Sequence, residues 1–383
     1  MRIAIVYNGI EDITGGGGAE RFFTDFFNVY NNQHTPFFQL YFLSDCVNIL
    51  QKQGKLNFHT SNIIRLKNWS NRFKRVLEGL NFAIVILRKR IRLVHFANYQ
   101  FYEDYHRIAA LNILPPFLRP KIVINIVDCR LAYQLVETNT KANSSYYKLF
   151  QAQKIDAVYS WYVLFKEYFD KSSLFKSPTY IEPIKSLAID STKFSPSEIK
   201  QNIIIFASRL VSYKNPAFFV DGVAILFKRN PQMLGSWSIL IYGKGELLEQ
   251  LQEQVNRNEL QNLVKFGFDA DMSTILNISK CFISTQELEN FTSLSMMEAM
   301  ASGNAIISRN VGQTNYLVKD GLNGYLLKKD TPEGLADALE EYLLHPERHK
   351  GFQRESVRII KEIHTPDNFI KQTDNFWKKV LSS

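Results

Sequence analysis

The chain has few cysteines, no long apolar run and no low-complexity tract. Its 383 residues include three cysteines, Cys46, Cys129 and Cys281. They are too far apart for a disulfide framework and lack the CxxC spacing of a structural zinc site. A reducing compartment is the expectation. The longest uninterrupted apolar stretches, such as Ala83 to Leu87, fall far short of the roughly 20 residues that span a bilayer. Met1 to Tyr7 runs straight into a strand pattern, without the basic leader and apolar core of a signal peptide, so neither export nor a membrane-crossing segment is expected. Zinc-finger spacings and RNP-type strands are missing too, which argues against a nucleic-acid partner.

What is there is globular. Hydrophobic residues make up 45% and charged residues 22%, and this length exceeds what one hydrophobic core usually serves, so two domains are expected. The net charge of +9 is not spread evenly. Between Arg65 and Arg92 stand Arg65, Lys67, Arg72, Lys74, Arg75, Arg88, Lys89, Arg90 and Arg92, against the single acid Glu78. Trp69, Phe73, Val76, Leu77, Leu80 and Phe82 are interleaved with these bases at helical spacing. The segment reads either as a solvated basic helix packed on its own domain or as a surface for an anionic membrane or acceptor.

Short apolar strands alternate with longer mixed segments. Ile3 to Tyr7, Phe37 to Leu43, Leu93 to Ala97, Ile122 to Val127 and Ala157 to Ser160 form one set. Ile203 to Ala207, Ser238 to Tyr242, Leu263 to Phe266, Cys281 to Ser284, Ala305 to Ser308 and Gly324 to Leu327 form a second. Apolarity at consecutive positions means burial on both faces, as in a parallel sheet covered by helices. Ser177 to Lys200, with Pro178, Pro183 and Pro196, reads as the linker. Thr331-Pro332 marks a helix start. Phe352 to Leu381 reads as helical with a break at His364 to Asp367, and Phe369, Phe376 and Trp377 present a face that needs a partner.

Three segments are suited to ligand chemistry. Gly15 to Gly18 follows the first strand and allows close backbone approach to an anion near a helix start, although neither a GxGxxG nor a Walker pattern is present. Arg209 and Lys214 follow the first strand of the second set, where two cations can neutralise a diphosphate, and Gly243-Lys244-Gly245 follows the next strand. Ser284 to Gly303 carries Glu289 and Glu298. Glu298 reads either as the acid of a capping box opened by Ser295, or as a carboxylate that accepts hydroxyls from a ribose.

The run Glu289-Asn290-Phe291-Thr292-Ser293-Leu294, leading to Glu298-Ala299-Met300-Ala301 and Gly303, resembles the signature of retaining glycosyltransferases of family 4 with the GT-B fold. That signature is a glutamate, seven residues, and a second glutamate in an LEAMA-like helix. Ser208-Arg209-Leu210 with Lys214 is similar to the family's GRL...K loop, Ala188 to Phe194 to its NGVDxxxF linker, and Gly17-Gly18-Ala19-Glu20 to its GGxE-type loop. Gly312 and Asp320 to Leu326 resemble its NG-containing segment. The resemblance implies an α/β chain of two Rossmann-like domains with parallel sheets facing a central cleft: residues 1–185 on the acceptor side, 186–360 for the nucleotide-sugar, and a terminal helix, 361–383, packing back on the first domain.

By the same resemblance Arg209 and Lys214 bind the diphosphate, Glu298 the ribose and Glu289 the donor sugar. Gly16, Gly17, Gly18, Gly243, Asn290, Phe291, Thr292, Ser293 and Leu294 complete the donor site, with Glu289, Arg209 and Lys214 as the catalytic set. No cofactor or metal is implied. The implied partners are a nucleoside diphosphate sugar and a saccharide or lipid-linked acceptor; the cysteine usage and the basic segment 65–92, read by themselves, add the expectation of a cytoplasmic enzyme peripheral to the inner face of the membrane.

Two departures stand out. Glu289 and Glu298 are nine positions apart rather than eight, so either the loop absorbs a residue or Asn290 takes the first glutamate's place. Val127 stands where the family often has a histidine, leaving His95, His106, Asp128 or Arg130 as acceptor-side candidates. The rival readings are a sugar-nucleotide epimerase of the same fold and a nonenzymatic nucleotide- or lipid-binding subunit.

Overall fold

The computed structural model describes residues 1–7, 38–44, 62–67, 71–99, 101–126, 145–163, 165–166, 179–269, 271–291 and 293–383. The chain divides into two units, Met1–Ala188 together with Pro366–Ser383, and Ile189–Thr365. The divisions fall a few residues later than the expected 185/186 and 360/361.

The described residues of the first unit form a sheet of seven parallel strands in the order β3-β2-β1-β4-β5-β6-β7. These are β1 (Arg2–Tyr7), β2 (Gln39–Ser44), β3 (Ile63–Arg65), β4 (Leu93–Asn98), β5 (Lys121–Ile126), β6 (Ala157–Ser160) and β7 (Tyr180–Pro183). Ile3 to Tyr7 and Ile122 to Ile126 are buried along their length, as strands covered on both faces must be. β3 and β7 were not legible in advance. β3 lies inside the basic segment. β7 lies inside the expected linker, where Pro183 is tolerated because it ends an edge strand and breaks no interior ladder.

Among the described residues before the second unit, the helices of this unit are α1 (Arg72–Arg88), α2 (Phe101–Asn112) and α3 (Ser145–Ala152). Asn71 caps α1, its side-chain oxygen accepting from the Phe73 N–H at 2.9 Å. Gly79 brings α1 against α2 so closely that a Cβ there would sit 2.5 Å from the His106 carbonyl oxygen.

The second unit has six parallel strands in the order β10-β9-β8-β11-β12-β13. They are β8 (Ile203–Ala207), β9 (Ser238–Tyr242), β10 (Val264–Gly267), β11 (Cys281–Ser284), β12 (Ala305–Ser308) and β13 (Gly324–Leu326). Around them lie α4 (Pro216–Arg229), α5 (Leu248–Arg257), α6 (Ser273–Leu276), α7 (Leu294–Ala301), α8 (Pro332–Leu344) and α9 (Pro346–Ile363). Thr331 caps α8 with Pro332 in its first turn. The core of this unit interdigitates Ile204, Ile239, Ile283 and Ile307 from the strands with Phe219, Val223, Leu335 and Leu339 from α4 and α8.

The last helix, α10 (Pro366–Ser382), belongs to the first unit. Phe376 stacks on Tyr159 with centroids 4.4 Å apart, and Trp377 meets Phe38 edge-on at 5.6 Å. Gln372 accepts from the Lys185 and Ser186 N–H groups at 2.8 and 3.2 Å, and Lys379 pairs with Glu182 at 2.9 Å. The large aromatics thus find their partner on β6 and beside β2. Among the described residues no helix is long and apolar enough to cross a membrane.

Candidate functional site

In the second unit the strand order reverses between β8 and β11, which lie side by side while their connections leave in opposite directions. Loops diverge at such a point and leave room at the carboxyl ends of the strands, where open α/β sheets bind ligands. The loop after β8 carries Arg209 and Lys214. The loop after β11 carries Gln286, Glu289 and Asn290.

The Arg209 loop is held by an extension of the sheet ladder. Ser208 donates to the Tyr242 carbonyl at 3.1 Å, Leu210 to that of Lys244 at 2.9 Å, and Leu247 to that of Leu210 at 3.1 Å. The two chains run so close that a Cβ on Gly243 would lie 1.9 Å from the Ser208 oxygen, and one on Gly245 2.2 Å from the Leu210 oxygen. Only glycine fits there. Gly243 therefore admits the cation-bearing loop, and its own N–H is used by the Gly267 carbonyl at 2.9 Å.

Lys214 ends a 3-10 turn, Ser212–Lys214, and is followed by Asn215 at φ +48°, which caps α4 ahead of Pro216. A single hydroxyl, that of Thr285, reaches the Lys214 and Asn215 carbonyls at 3.1 and 2.7 Å. The Lys214 ammonium donates to the Gln286 side-chain oxygen, and the Arg209 guanidinium to the Tyr213 hydroxyl. Both cations lie near the Tyr213 ring, 5.7 Å (Arg209) and 5.3 Å (Lys214) from its centroid. A small cavity opens beside Lys214, lined also by Phe206, Ser208, Phe282, Ser284 and Gln286 among others. Two cations near one aromatic ring, next to hydroxyls and an amide, can take up a multiply charged anion.

Glu289 is 5% exposed, and its carboxylate faces inward. Oε1 accepts from the N–H groups of Asn290, Phe291 and Gln313 at 2.8, 2.8 and 2.9 Å, and Oε2 from the Gln313 side-chain amide at 3.1 Å. Asn290 is equally internal. Its oxygen accepts from Ser284 at 2.7 Å, and its amide donates to Ser308 and Thr314, each at 3.1 Å. Both residues that could take the first glutamate's place, Glu289 and Asn290, are thus held inside the loop by hydrogen bonds. Phe291 packs inward, edge-on to Tyr316 at 5.5 Å.

The expected capping box does not form. Ser293 occupies the N-cap position of α7, two residues earlier than expected, and its hydroxyl lies 3.3 Å from that of Ser295 rather than capping the helix; Leu294 opens the helix and Glu298 falls in its second turn, buried. The capping explanation of Glu298 is removed by that register.

His95, a candidate for the acceptor side, is instead a core residue of the first unit. Its Nε2 bonds the Asn125 side chain at 2.6 Å, and its Nδ1 accepts from the Trp377 indole at 3.1 Å. Burial lowers its pKa to about 4, so the ring is neutral. Both nitrogens serve the packing of α10, and 3% exposure leaves no route to an acceptor. Gly16, Gly17, Gly18, Asp128, Arg130 and Thr292 lie outside the described residues.

Sequence reasoning assigned no role to Tyr213, Thr285, Gln286 or Gln313. Arg309 belongs with them: it is paired bidentately with Asp330 and donates to the Thr285 carbonyl at 3.2 Å. Each acts on another residue of the site, and such a role has no spacing signature.

The model of the glycosyl transferases group 1 family matches residues 190–357. A poly(glycerol-phosphate) alpha-glucosyltransferase of Bacillus subtilis is 28% identical over 178 residues, 46% of this chain and 25% of that protein. The UDP-Gal:alpha-D-GlcNAc-diphosphoundecaprenol alpha-1,3-galactosyltransferase of Escherichia coli is 27% identical over 179 residues, 42% of this chain and 46% of the other. The chain thus spans a quarter to about half of the length of these curated relatives. Among solved structures, Anabaena HepE in complex with UDP superposes with a TM-score of 0.76 at 15% identity over 99% of this chain and 100% of that one. The pneumococcal O-GlcNAc transferase GtfA, in complex with UDP and GlcNAc, gives 0.74 at 15% over 100% and 99%. The two Rossmann-like parallel sheets in series and these superpositions give the chain the GT-B fold, and its residues 190–357 are similar to the group 1 glycosyl transferases.

Proposed function

We propose that the protein transfers a glycosyl unit from a nucleoside diphosphate sugar to a hydroxyl of a saccharide or lipid-linked saccharide, with retention at the anomeric carbon. The observation that carries the reading is the pair Arg209 and Lys214, gathered on Tyr213 at the strand-order reversal, with Lys214 lining a small cavity there. In the reaction the bond from the anomeric carbon to the diphosphate oxygen breaks and a bond to the acceptor oxygen forms on the same face. The acceptor's proton goes to the departing diphosphate. Negative charge grows on that leaving group, and fixed cations there stabilise the transition state more than the ground state. Glu298 holds the ribose. Glu289, with four N–H donors on its carboxylate, keeps the 289–293 loop in shape around the donor sugar.

The named activities of the relatives support a sugar donor, and the UDP in two superposable proteins supports a uridine nucleotide as the first to try. The test is release of nucleoside diphosphate in the presence of acceptor, preceded by a thermal-shift screen over UDP, GDP and ADP, since a ligand that binds the native state raises its apparent stability. Turnover is lost in Lys214→Ala and in Glu298→Ala. Unchanged turnover in both refutes the assignment.

The same proposal sets the protein at the cytoplasmic side of an anionic membrane. In its support, α1 turns Phe73, Leu77, Leu80 and Ile84 outward at 71, 50, 41 and 46% exposure, among Arg72, Lys74 and Arg88. Those apolar residues recur at helical spacing, on a face distinct from the one that packs Phe82, Ala83 and Ile86. Flotation with anionic vesicles at low salt is the expected outcome, and absence of flotation there removes the membrane from the reading.

A further inference from the structure

Between α2 and β5 the chain reads Ile113-Leu114-Pro115-Pro116-Phe117-Leu118, an apolar run where a connection is ordinarily polar. The prolines end α2: neither has an N–H to donate, and each disfavours the helical region for the residue before it. The turn that follows is closed by the Leu118 and Arg119 N–H groups, which donate to the Pro115 carbonyl at 2.9 and 3.0 Å. Its two feet are tied together. Arg119 Nε donates to the Asn112 side-chain oxygen at 3.2 Å, and the Asn112 amide donates to the Ile108 carbonyl of α2 at 3.0 Å. The turn is thus fixed from below while its side chains face water: Ile113 is 72%, Phe117 82% and Leu118 45% exposed. Single apolar residues on a surface are ordinary, but three within six positions form a patch.

The patch stands at the amino ends of the strands. The Lys121 N–H donates to the Arg92 carbonyl at 2.9 Å, joining the starts of β5 and β4, and the Arg119 guanidinium donates to the Lys154 carbonyl at 3.0 Å, shortly before β6. Arg92, Arg119, Lys121 and Lys154 therefore lie around the base of the turn, with Arg92 and Lys154 exposed. Asp156 stands among them, 2.8 Å from Arg119 and 3.8 Å from Lys121. With that carboxylate counted, these five groups still sum to a positive charge.

We infer that this turn is a membrane-docking tip: Ile113, Phe117 and Leu118 enter the acyl boundary of a bilayer, and Arg92 and Lys154 meet its anionic headgroups. Side chains exposed to this extent stand clear of the surface rather than lining a groove. A protein partner has to offer each of them a pocket, whereas a fluid bilayer takes them in without one. Cations at the base of an inserted tip lie at headgroup depth and favour anionic lipid. β5 is six residues long, so at about 3.3 Å per residue the docked end lies roughly 17 Å from the carboxyl ends of the sheet, where α/β proteins bind ligands. Docking here leaves that end open. The choice of a bilayer rests on the membrane reading given above for α1, to which the turn adds a contact on a different segment.

The test uses the full chain with phosphatidylcholine vesicles, with and without phosphatidylglycerol, at low salt. In Phe117→Trp the indole emission is expected to shift to the blue on anionic vesicles and to be quenched by bromine on the lipid chains, beyond any change in wild type. In Ile113→Ser, Phe117→Ser the partition onto anionic vesicles is expected to fall at least tenfold, about 1.4 kcal/mol, with the thermal midpoint retained because both side chains already face water. Arg92→Gln, Lys154→Gln is expected to lower the preference for anionic over neutral vesicles roughly tenfold. Unchanged partition in the tip variant, or no added quenching in Phe117→Trp, overturns the tip; if Phe73→Ser, Leu80→Ser then still loses flotation, the α1 reading stands without it. Loss of partition in the tip variant but not in that α1 variant keeps the tip and removes α1 from the membrane. No partition of the wild type defeats both. A lipid-free dimer that Ile113→Ser, Phe117→Ser abolishes gives the turn to a second copy of the chain and overturns the inference.

Discussion

Both units bury a polar network, and the two networks serve opposite ends. In the first, His95, Asn125, Tyr159, Thr373 and Trp377 bond side chain to side chain across the sheet and under α10. In the second, Glu289, Asn290, Thr285 and Gln286 bond mostly to the backbone or side chains of neighbouring loops at the carboxyl ends of β8, β11 and β12. The first fastens a helix; the second shapes a surface. Buried polarity is equally well satisfied in both, so it does not mark a binding site by itself. Position relative to the strand ends does.

The sharpest way to break this contrast is to remove the first network's anchor. Trp377→Ala takes away a fully buried indole and the donor to His95. It is expected to cost about 3–5 kcal/mol of stability in urea titrations, with the turnover of the molecules that remain folded unchanged. A loss of turnover per folded molecule would mean that the network of the first unit is catalytic after all. In the second unit the dissociation runs the other way. Lys214→Ala is expected to lower kcat roughly 100- to 1,000-fold while the thermal midpoint barely moves.

Acidification sharpens the comparison through one histidine in each unit. Burial lowers the pKa of His95 and of His364 from 6.5 to about 4. Between those values the unfolded chain binds more protons than the folded one. Stability is therefore fully present above about pH 6.5 and declines as the pH falls toward 4, by about 1.4 kcal/mol per pH unit for each ring. Urea midpoints measured from pH 7 to 4 in wild type and His95→Gln should diverge, with the flatter profile in the variant. Parallel profiles would show that His95 is not held neutral by the fold.

Smaller effects test the loops and the surface. Glu289→Gln replaces an acceptor by an amide donor facing the Gln313 N–H, with an expected cost of about 1–3 kcal/mol and a raised KM for donor. An unchanged KM would separate the 289–293 loop from the donor site. The smallest change is expected from Phe73→Ser with Leu80→Ser, which moves stability by no more than about 0.5 kcal/mol because these side chains already face out. A larger loss would place that stripe in the fold rather than on a membrane.

The sequence alone determined the two sheets and most of their strands, because parallel strands covered on both faces are apolar at every position and cannot hide that pattern. Cys281 to Ser284 and Ile203 to Ala207 are bounded as read. It also determined which loops carry cations and acids, since Arg209, Lys214 and Glu289 follow strands at recognisable spacing. Only the tertiary structure decided what those groups face. Spacing does not say that Glu289 turns inward to four N–H donors, that α7 starts after Ser293, or that Thr285 and Gln286 hold Lys214 in place. It made β3 and β7 strands because neighbours offered them a ladder, against the charge and proline of their own segments. It also sent His95 to the core, because α10 returns from the far end of the chain to cover it. Local pattern is set by residues a few positions apart; hydrogen-bond partners and burial are set by residues up to 282 positions away, and nothing short of the folded chain brings them together.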